Sequence, residues 1–166
     1  TACSSALVAC HAVTRAVQRD ECGSGLLAAV NMVFSPTICL SFATSGFISS
    51  TRSVNVFDSR ADGYVRGETC GVVALGSCAG VLAPTAAVSG CRIWQDGRSA
   101  SLTAPNGLAQ KAVVQLSHAD AGIRPRDLGT IEAHGTGTSL GDPIEVQALV
   151  MAGLASQALS GVKAIF

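Results

Sequence analysis

Two side chains in this sequence are placed to do chemistry together, Cys3 and His134. Cys3 sits in Thr1-Ala2-Cys3-Ser4-Ser5, a small-residue turn that leads into an apolar segment of helical character over 6–19. Its sulfur is therefore expected at a helix N-terminus, where unpaired backbone N–H groups and the positive end of the helix dipole favour a thiolate. Arg15 and Arg19 suit the negative end of the same helix. A thiolate is both a good nucleophile and a good leaving group at neutral pH, which suits covalent catalysis. His134 closes the stretch Thr130-Ile131-Glu132-Ala133 and precedes Gly135-Thr136-Gly137-Thr138. Active-site groups of α/β sheets collect at such strand ends, and a reactive thiol needs a positioned acid or base. Each residue alone also has a plain structural reading, because cysteine commonly fills a core and a glycine-threonine loop commonly makes a tight turn. His11 and His118 lie within helices, and for both the structural reading wins.

The elements that must position these groups are legible in outline. Residues 25–33 form a continuous apolar run between turn signals, read as a core strand covered on both faces. Ser35 and Pro36 start a short helix as N-cap and first-turn residue. Residues 49–67, with Asp58, Arg60, Asp62 and Arg66 among glycines, read as an irregular loop that carries fixing ion pairs or walls a site. Strands are expected over 71–75 and 86–93, and an amphipathic helix over 109–121 whose Ala112, Val113, Leu116 and Ala119 share a face, with Gly122 as C-cap. A strand over 130–133 follows, then a helix from 143 to about 151 with Asp142 as N-cap, then a last strand over 162–166. Alternating strands and helices imply an α/β layered fold with a largely parallel sheet, and no short-period repeat is present.

Composition limits the function classes. Of the 166 residues 48% are hydrophobic and 13% charged, net charge is zero, and mean hydropathy is +0.43. Such a chain buries most of its surface as one domain of ordinary size. Lys and Arg occur singly, so no basic patch points to nucleic acid or an anionic membrane. The apolar stretches fall short of the roughly 20 residues that span a bilayer, and no charged segment leads an apolar signal region. Seven cysteines without a C-x-x-C pair argue against a disulfide framework and a zinc site, and for a reducing, cytoplasmic setting.

Six stretches carry a resemblance. They are Thr1-Ala2-Cys3-Ser4-Ser5, Asp62-Gly63-Tyr64-Val65-Arg66-Gly67-Glu68, Gln95-Asp96-Gly97-Arg98, Thr103-Ala104-Pro105-Asn106-Gly107, Glu132-Ala133-His134-Gly135-Thr136-Gly137-Thr138 and Gly141-Asp142-Pro143-Ile144-Glu145. In this order and spacing they resemble the β-ketoacyl synthase (ketosynthase) domain of modular type I polyketide synthases, over essentially the whole chain. The resemblance implies a thiolase-like layered α-β-α-β-α fold, here an incomplete fragment, with 1–69 the remainder of an N-terminal half bearing the nucleophile and 70–166 the start of a C-terminal half.

The same resemblance implies an acyltransferase that performs decarboxylative Claisen condensation. Cys3 would accept an acyl chain from a phosphopantetheine thioester, its own N–H forming half of an oxyanion hole. His134 would promote decarboxylation of a malonyl-type extender on acyl carrier protein and stabilise the enolate oxygen. Lys163 would be the active-site lysine, five positions before a second histidine that lies beyond Phe166, and Glu145 its acidic partner. Thr136 and Thr138 are supporting residues of the loop. No cofactor is expected to be bound; the implied partners are acyl carrier protein and a second copy of the chain, meeting at or near 26–33. Thr69 and Trp94 depart from the glycine and asparagine usual there, which bears on local loops and not on the reaction. Other readings are a discrete fatty-acid synthase of the same superfamily, a non-catalytic homologue kept for assembly, and a thiol protease, whose C-G-[SA]-C-[WY] cluster is missing. With the second histidine and the glycine-rich loop outside the sequence, residues 1–166 alone are expected to be inactive and poorly soluble.

Overall fold

The structure, a computed structural model, describes residues 1–77, 84–101 and 103–164. Helix α1 (Ser5–Gln18) follows a single 3-10 turn at Ala2–Ser4. It packs on strand β1 (Ser24–Asn31), which pairs antiparallel with β2 (Thr69–Gly76) from Ser24↔Gly76 to Asn31↔Thr69. Between them lies α2 (Pro36–Thr44), capped as expected by the Ser35 hydroxyl, which accepts from Thr37 N at 3.3 Å. The second half consists of α3 (Gly107–Ala121), β3 (Thr130–Glu132), α4 (Gly141–Met151) and β4 (Ala158–Ser160). Strands β3 and β4 run parallel, with Glu132 opposite Ser160, and α3 packs on α4. Ala109, Ala133, Ala148, Ala152 and Leu154 are buried there.

Several expectations change. Among the described residues, parallel pairing reduces to β3–β4 and the isolated Ile48–Tyr64 bridge, since β1–β2 is antiparallel. Strand β1 is not covered on both faces: Leu26 and Val30 remain 71% and 69% exposed, because α1 takes one face and no described element takes the other. Residues 86–93 form no strand. The backbone of Cys91 is engaged by side chains instead: its N donates to Asp120 Oδ2 (3.0 Å), and its O meets His11 Nδ1 (2.8 Å) and Arg15 (2.9 Å). Asp120 also pairs with Arg15 and Arg92, so one carboxylate ties α1, α3 and this segment together. On α3 the expected face is rotated, with Ala109 buried and Leu116 and Ala119 exposed.

The N-terminal cap of α3 is Asn106, whose Oδ1 accepts from Leu108 N and Ala109 N while its Nδ2 donates to Asp96 O (2.7 Å). Two motifs of the sequence thus clasp each other. Gly122 closes α3 in the left-handed region, as expected. Helix α4 starts at Gly141, one residue ahead of Asp142, so Asp142 is not its N-cap. The last expected strand is also displaced. Pairing with β3 ends at Ser160, because Val162 N donates to the Glu132 carboxylate; Val162–Ala164 form a 3-10 turn, and 165–166 lie outside the described residues.

Candidate active site

The nucleophile candidate stands on a strained turn. Ala2 adopts φ 47°, a left-handed conformation that costs an L-residue about 1–2 kcal/mol. Three side-chain bonds hold it: Ser4 Oγ to Thr1 O (2.9 Å), Ser5 Oγ to Ala2 O (2.7 Å) and Thr1 Oγ1 to Ser5 Oγ (3.1 Å). The first ladder bond of the turn runs from Ser4 N to Thr1 O, so the Cys3 N–H lies ahead of the ladder. Cys3 is exposed, and no hydrogen bond joins it to His134 or Lys163 among the described residues.

The second centre is assembled around His134. Glu145, on α4, accepts from His134 N (2.7 Å) with one carboxylate oxygen and from Gly135 N (2.9 Å) with the other, so the backbone at the histidine is fixed from the helix. Asp142, only 4% exposed, accepts from Gly137 N (3.0 Å) and reaches across to Phe57 N (2.8 Å). Thr138 Oγ1 accepts from Gly141 N (3.1 Å), satisfying a free donor at the start of α4, and contacts Thr136 Oγ1 at 3.0 Å.

The irregular 49–67 segment supplies both of the roles read from its sequence. Asp58 and Arg60 pair locally, and Asp62 accepts from Ser49 and Ser50. Gly63 N also donates to Gly137 O (2.9 Å), so the segment walls the His134 loop. Gly135, at φ 46°, has no room for a side chain; a Cβ there would lie 2.6 Å from Val56 Cγ1. Phe57 and Val56 were not legible as site residues, since an apolar pair in a loop carries no periodic signal.

Lys163 reaches this centre from the turn after β4. Its ammonium donates to the His134 carbonyl oxygen and lies 3.4 Å from His134 Nδ1. The expected Glu145–Lys163 ion pair is absent among the described residues: Glu145 faces the His134 and Gly135 amides, and the Lys163 ammonium is directed at the His134 carbonyl. An ammonium has only donors, so Nδ1 must accept and the imidazole proton resides on Nε2. The ring stays partly exposed, yet packing strips enough of its water to hold His134 below its ordinary 6.5; the Lys163 charge acts in the same direction, and Glu145 and Asp142 oppose it. The result is a neutral imidazole presenting Nε2–H. Such a donor can bind a developing oxyanion without first losing a proton to solvent. No cluster of three or more potential ligands that could hold a metal ion occurs among the described residues.

Two family models match the chain, the β-ketoacyl synthase N-terminal domain over residues 1–78 and the β-ketoacyl synthase C-terminal domain over 85–165. The chain belongs to the β-ketoacyl synthase family. It is 42% identical over 153 residues to a phenolphthiocerol/phthiocerol polyketide synthase polypeptide of Mycobacterium bovis, covering 90% of this chain and 8% of that protein. To erythronolide synthase EryA3 of Saccharopolyspora erythraea it is 41% identical over 154 residues, covering 90% and 5%. Its fold matches the ketosynthase from module 6 of the bacillaene synthase of Bacillus subtilis 168 with a TM-score of 0.86 and 30% identity, covering 98% of this chain and 31% of that one. The oxazolomycin ketosynthase domain of Streptomyces albus JA3453 matches at 0.85 and 33%, covering 98% and 30%. This ketosynthase segment therefore has the thiolase-like α/β fold and spans about a third of the solved ketosynthase chains. No helix among its described residues is long and apolar enough to cross a membrane.

Proposed function

We propose that this chain carries part of the centre for decarboxylative Claisen condensation in polyketide biosynthesis. The observation that carries the reading is the Lys163–His134 contact, which leaves a neutral imidazole with Nε2–H free to donate. In the first step the Cys3 thiolate attacks the acyl carbon of a thioester held on the phosphopantetheine arm of acyl carrier protein; a new C–S bond forms, the old one breaks, and the pantetheine leaves as a thiolate. In the second, a malonyl-type extender on acyl carrier protein loses carbon dioxide, and its electron pair passes into an enolate whose oxygen accepts from His134 Nε2–H. The enolate carbon then attacks the Cys3 thioester, the new C–C bond forms, and the Cys3 thiolate departs. The N–H of Cys3, ahead of its helical ladder, suits the oxyanion of the acylation step. No bound cofactor is needed for this sequence, because thiolate and imidazole supply the chemistry.

The partners are acyl carrier protein and a second copy of the chain, whose contact we assign to β1, where Leu26 and Val30 stand exposed. The setting is cytoplasmic. The reading is tested by incubating the full-length protein that carries this chain with an acyl-thioester donor and mapping the adduct. Acylation of Cys3, abolished in Cys3→Ala, is expected, while Cys3→Ala retains decarboxylation of malonyl carrier protein and His134→Ala loses it. Label on Cys10 or Cys22 with Cys3 unmodified refutes the assignment. No acylation anywhere favours a non-catalytic assembly role.

A further inference from the structure

Glu132 lies two residues before His134 and has no part in the chemistry above. Its position is nonetheless fixed by the sheet: in the parallel β3–β4 register it stands opposite Ser160. Ala133 N donates to Ser160 O at 3.0 Å, the last contact of that pairing. Beyond it the chain leaves the sheet, and Glu132 Oε1 accepts the Val162 N–H at 2.7 Å. Val162 opens the 3-10 turn whose next residue, Lys163, sends its ammonium back to His134 O and to within 3.4 Å of Nδ1. Residues 132–134 and 162–163 are thus closed into a ring by two contacts, both donated from 162–163, with one side chain contributed by each segment: the Glu132 carboxylate and the Lys163 ammonium.

We propose that Glu132 is a positioning residue for Lys163, its carboxylate anchoring the turn that aims the ammonium at His134. The bond to the Val162 amide, the Ser160 hydroxyl and the Lys163 charge hold the Glu132 carboxyl below its ordinary range, so the acceptor remains a carboxylate at working pH. Without that anchor a four-carbon lysine stem on an exposed turn has many rotamers, and most of them do not reach the imidazole. The inference rests on the role of His134 proposed above, but its signature can be read apart from turnover.

The sign of the effect separates positioning from direct electrostatics. The charged groups acting on His134 are Lys163 from the turn, and Glu145 and Asp142 from α4. If Glu132 acted on the ring by its own charge, removing it would lower the imidazole midpoint. If it acts by holding Lys163, removing it releases a cation from the ring and raises the midpoint. The experiment is a histidine-selective NMR titration of the full-length protein with Glu132→Ala, Glu132→Gln, Lys163→Met and the Glu132→Ala/Lys163→Met pair.

Glu132→Ala is expected to raise the His134 midpoint toward that of Lys163→Met, with the double variant no higher than Lys163→Met alone. Glu132→Gln keeps a carbonyl oxygen for the Val162 amide and is expected to stay near wild type. In parallel, kcat for malonyl carrier protein decarboxylation should fall about 10- to 100-fold in Glu132→Ala with KM little changed, the scale of a misplaced catalytic group. Should Glu132→Ala fail to fold, Val162→Pro deletes the other end of the same bond at a position where a turn tolerates proline, and should raise the midpoint equally. A midpoint unchanged or lowered in Glu132→Ala and Val162→Pro overturns the inference, as does Glu132→Gln behaving like alanine. A protein that condenses normally while the midpoint ignores Glu132 sinks this inference alone. One that neither condenses nor decarboxylates while the midpoint follows Glu132 sinks the functional reading alone.

Discussion

Asp142→Ala removes the carboxylate that joins the His134 loop to the 49–67 segment. Its two oxygens accept from Phe57 N at 2.8 Å and from Gly137 N at 3.0 Å, with Thr136 Oγ1 more distant at 3.4 Å. Gly137 is buried and Phe57 half-buried, so neither amide gains a water partner readily once the acceptor is gone. A buried donor left unpaired costs about 1–3 kcal/mol. At roughly tenfold per 1.4 kcal/mol, the local opening that exposes each amide should become about 5- to 150-fold more frequent. Asparagine keeps one acceptor oxygen and turns a donor toward the other amide, so Asp142→Asn should lie between wild type and alanine.

Hydrogen exchange by mass spectrometry on the full-length protein measures this directly, with peptides spanning Phe57 and Gly137 compared against β1 and β2 as an internal control. Faster exchange at both amides, ordered alanine over asparagine over wild type, is expected while the control is unchanged. Wild-type protection at Phe57 and Gly137 in the alanine variant would show that the carboxylate does not hold the loop, and the geometric argument for the site would fail with it.

The pH behaviour of His134 has a definite sign. Its midpoint is held below 6.5, so between that midpoint and 6.5 the unfolded chain binds a proton that the folded chain does not; stability rises with pH across this window and falls as pH drops through it, with no contribution from this group above it. Denaturant midpoints from pH 7 to pH 5 should therefore fall less in His134→Asn than in wild type, and a His134 titration above 6.5 contradicts the reading. Gly135→Ala forces a side chain into the left-handed region against Val56; it should lower stability by about 1–3 kcal/mol and decarboxylation with it, as overpacking does, and a variant with wild-type thermal midpoint and rate refutes the steric argument. Light scattering of the full-length protein should give a dimer that Leu26→Asp and Val30→Asp together dissociate, and a wild-type monomer at micromolar concentration removes β1 as the interface.

What the sequence alone determined was local. Ser35 and Pro36 start α2, Gly122 ends α3, and Thr1 to Ser5 set Cys3 at the head of α1, because caps, proline and left-handed glycine act within a few residues of chain. The motif around His134 was likewise readable from its residue types, and the lysine at 163 came forward through the family resemblance. Long-range matters were decided only in three dimensions. Asp142 has the type and place of a cap, yet its carboxylate is spent on Phe57, 85 residues away. Glu145 has the charge to pair with Lys163, but the folded chain sets its two oxygens against the His134 and Gly135 amides of the loop ahead of its helix. Residues 86–93 have the composition of a strand and Val162 opens an apolar run, but side chains from other elements, Asp120 and Glu132, take the Cys91 and Val162 amides. Hydrogen-bond donors are obliged to find partners, and which acceptor is nearest is a property of the packed chain and not of the local sequence.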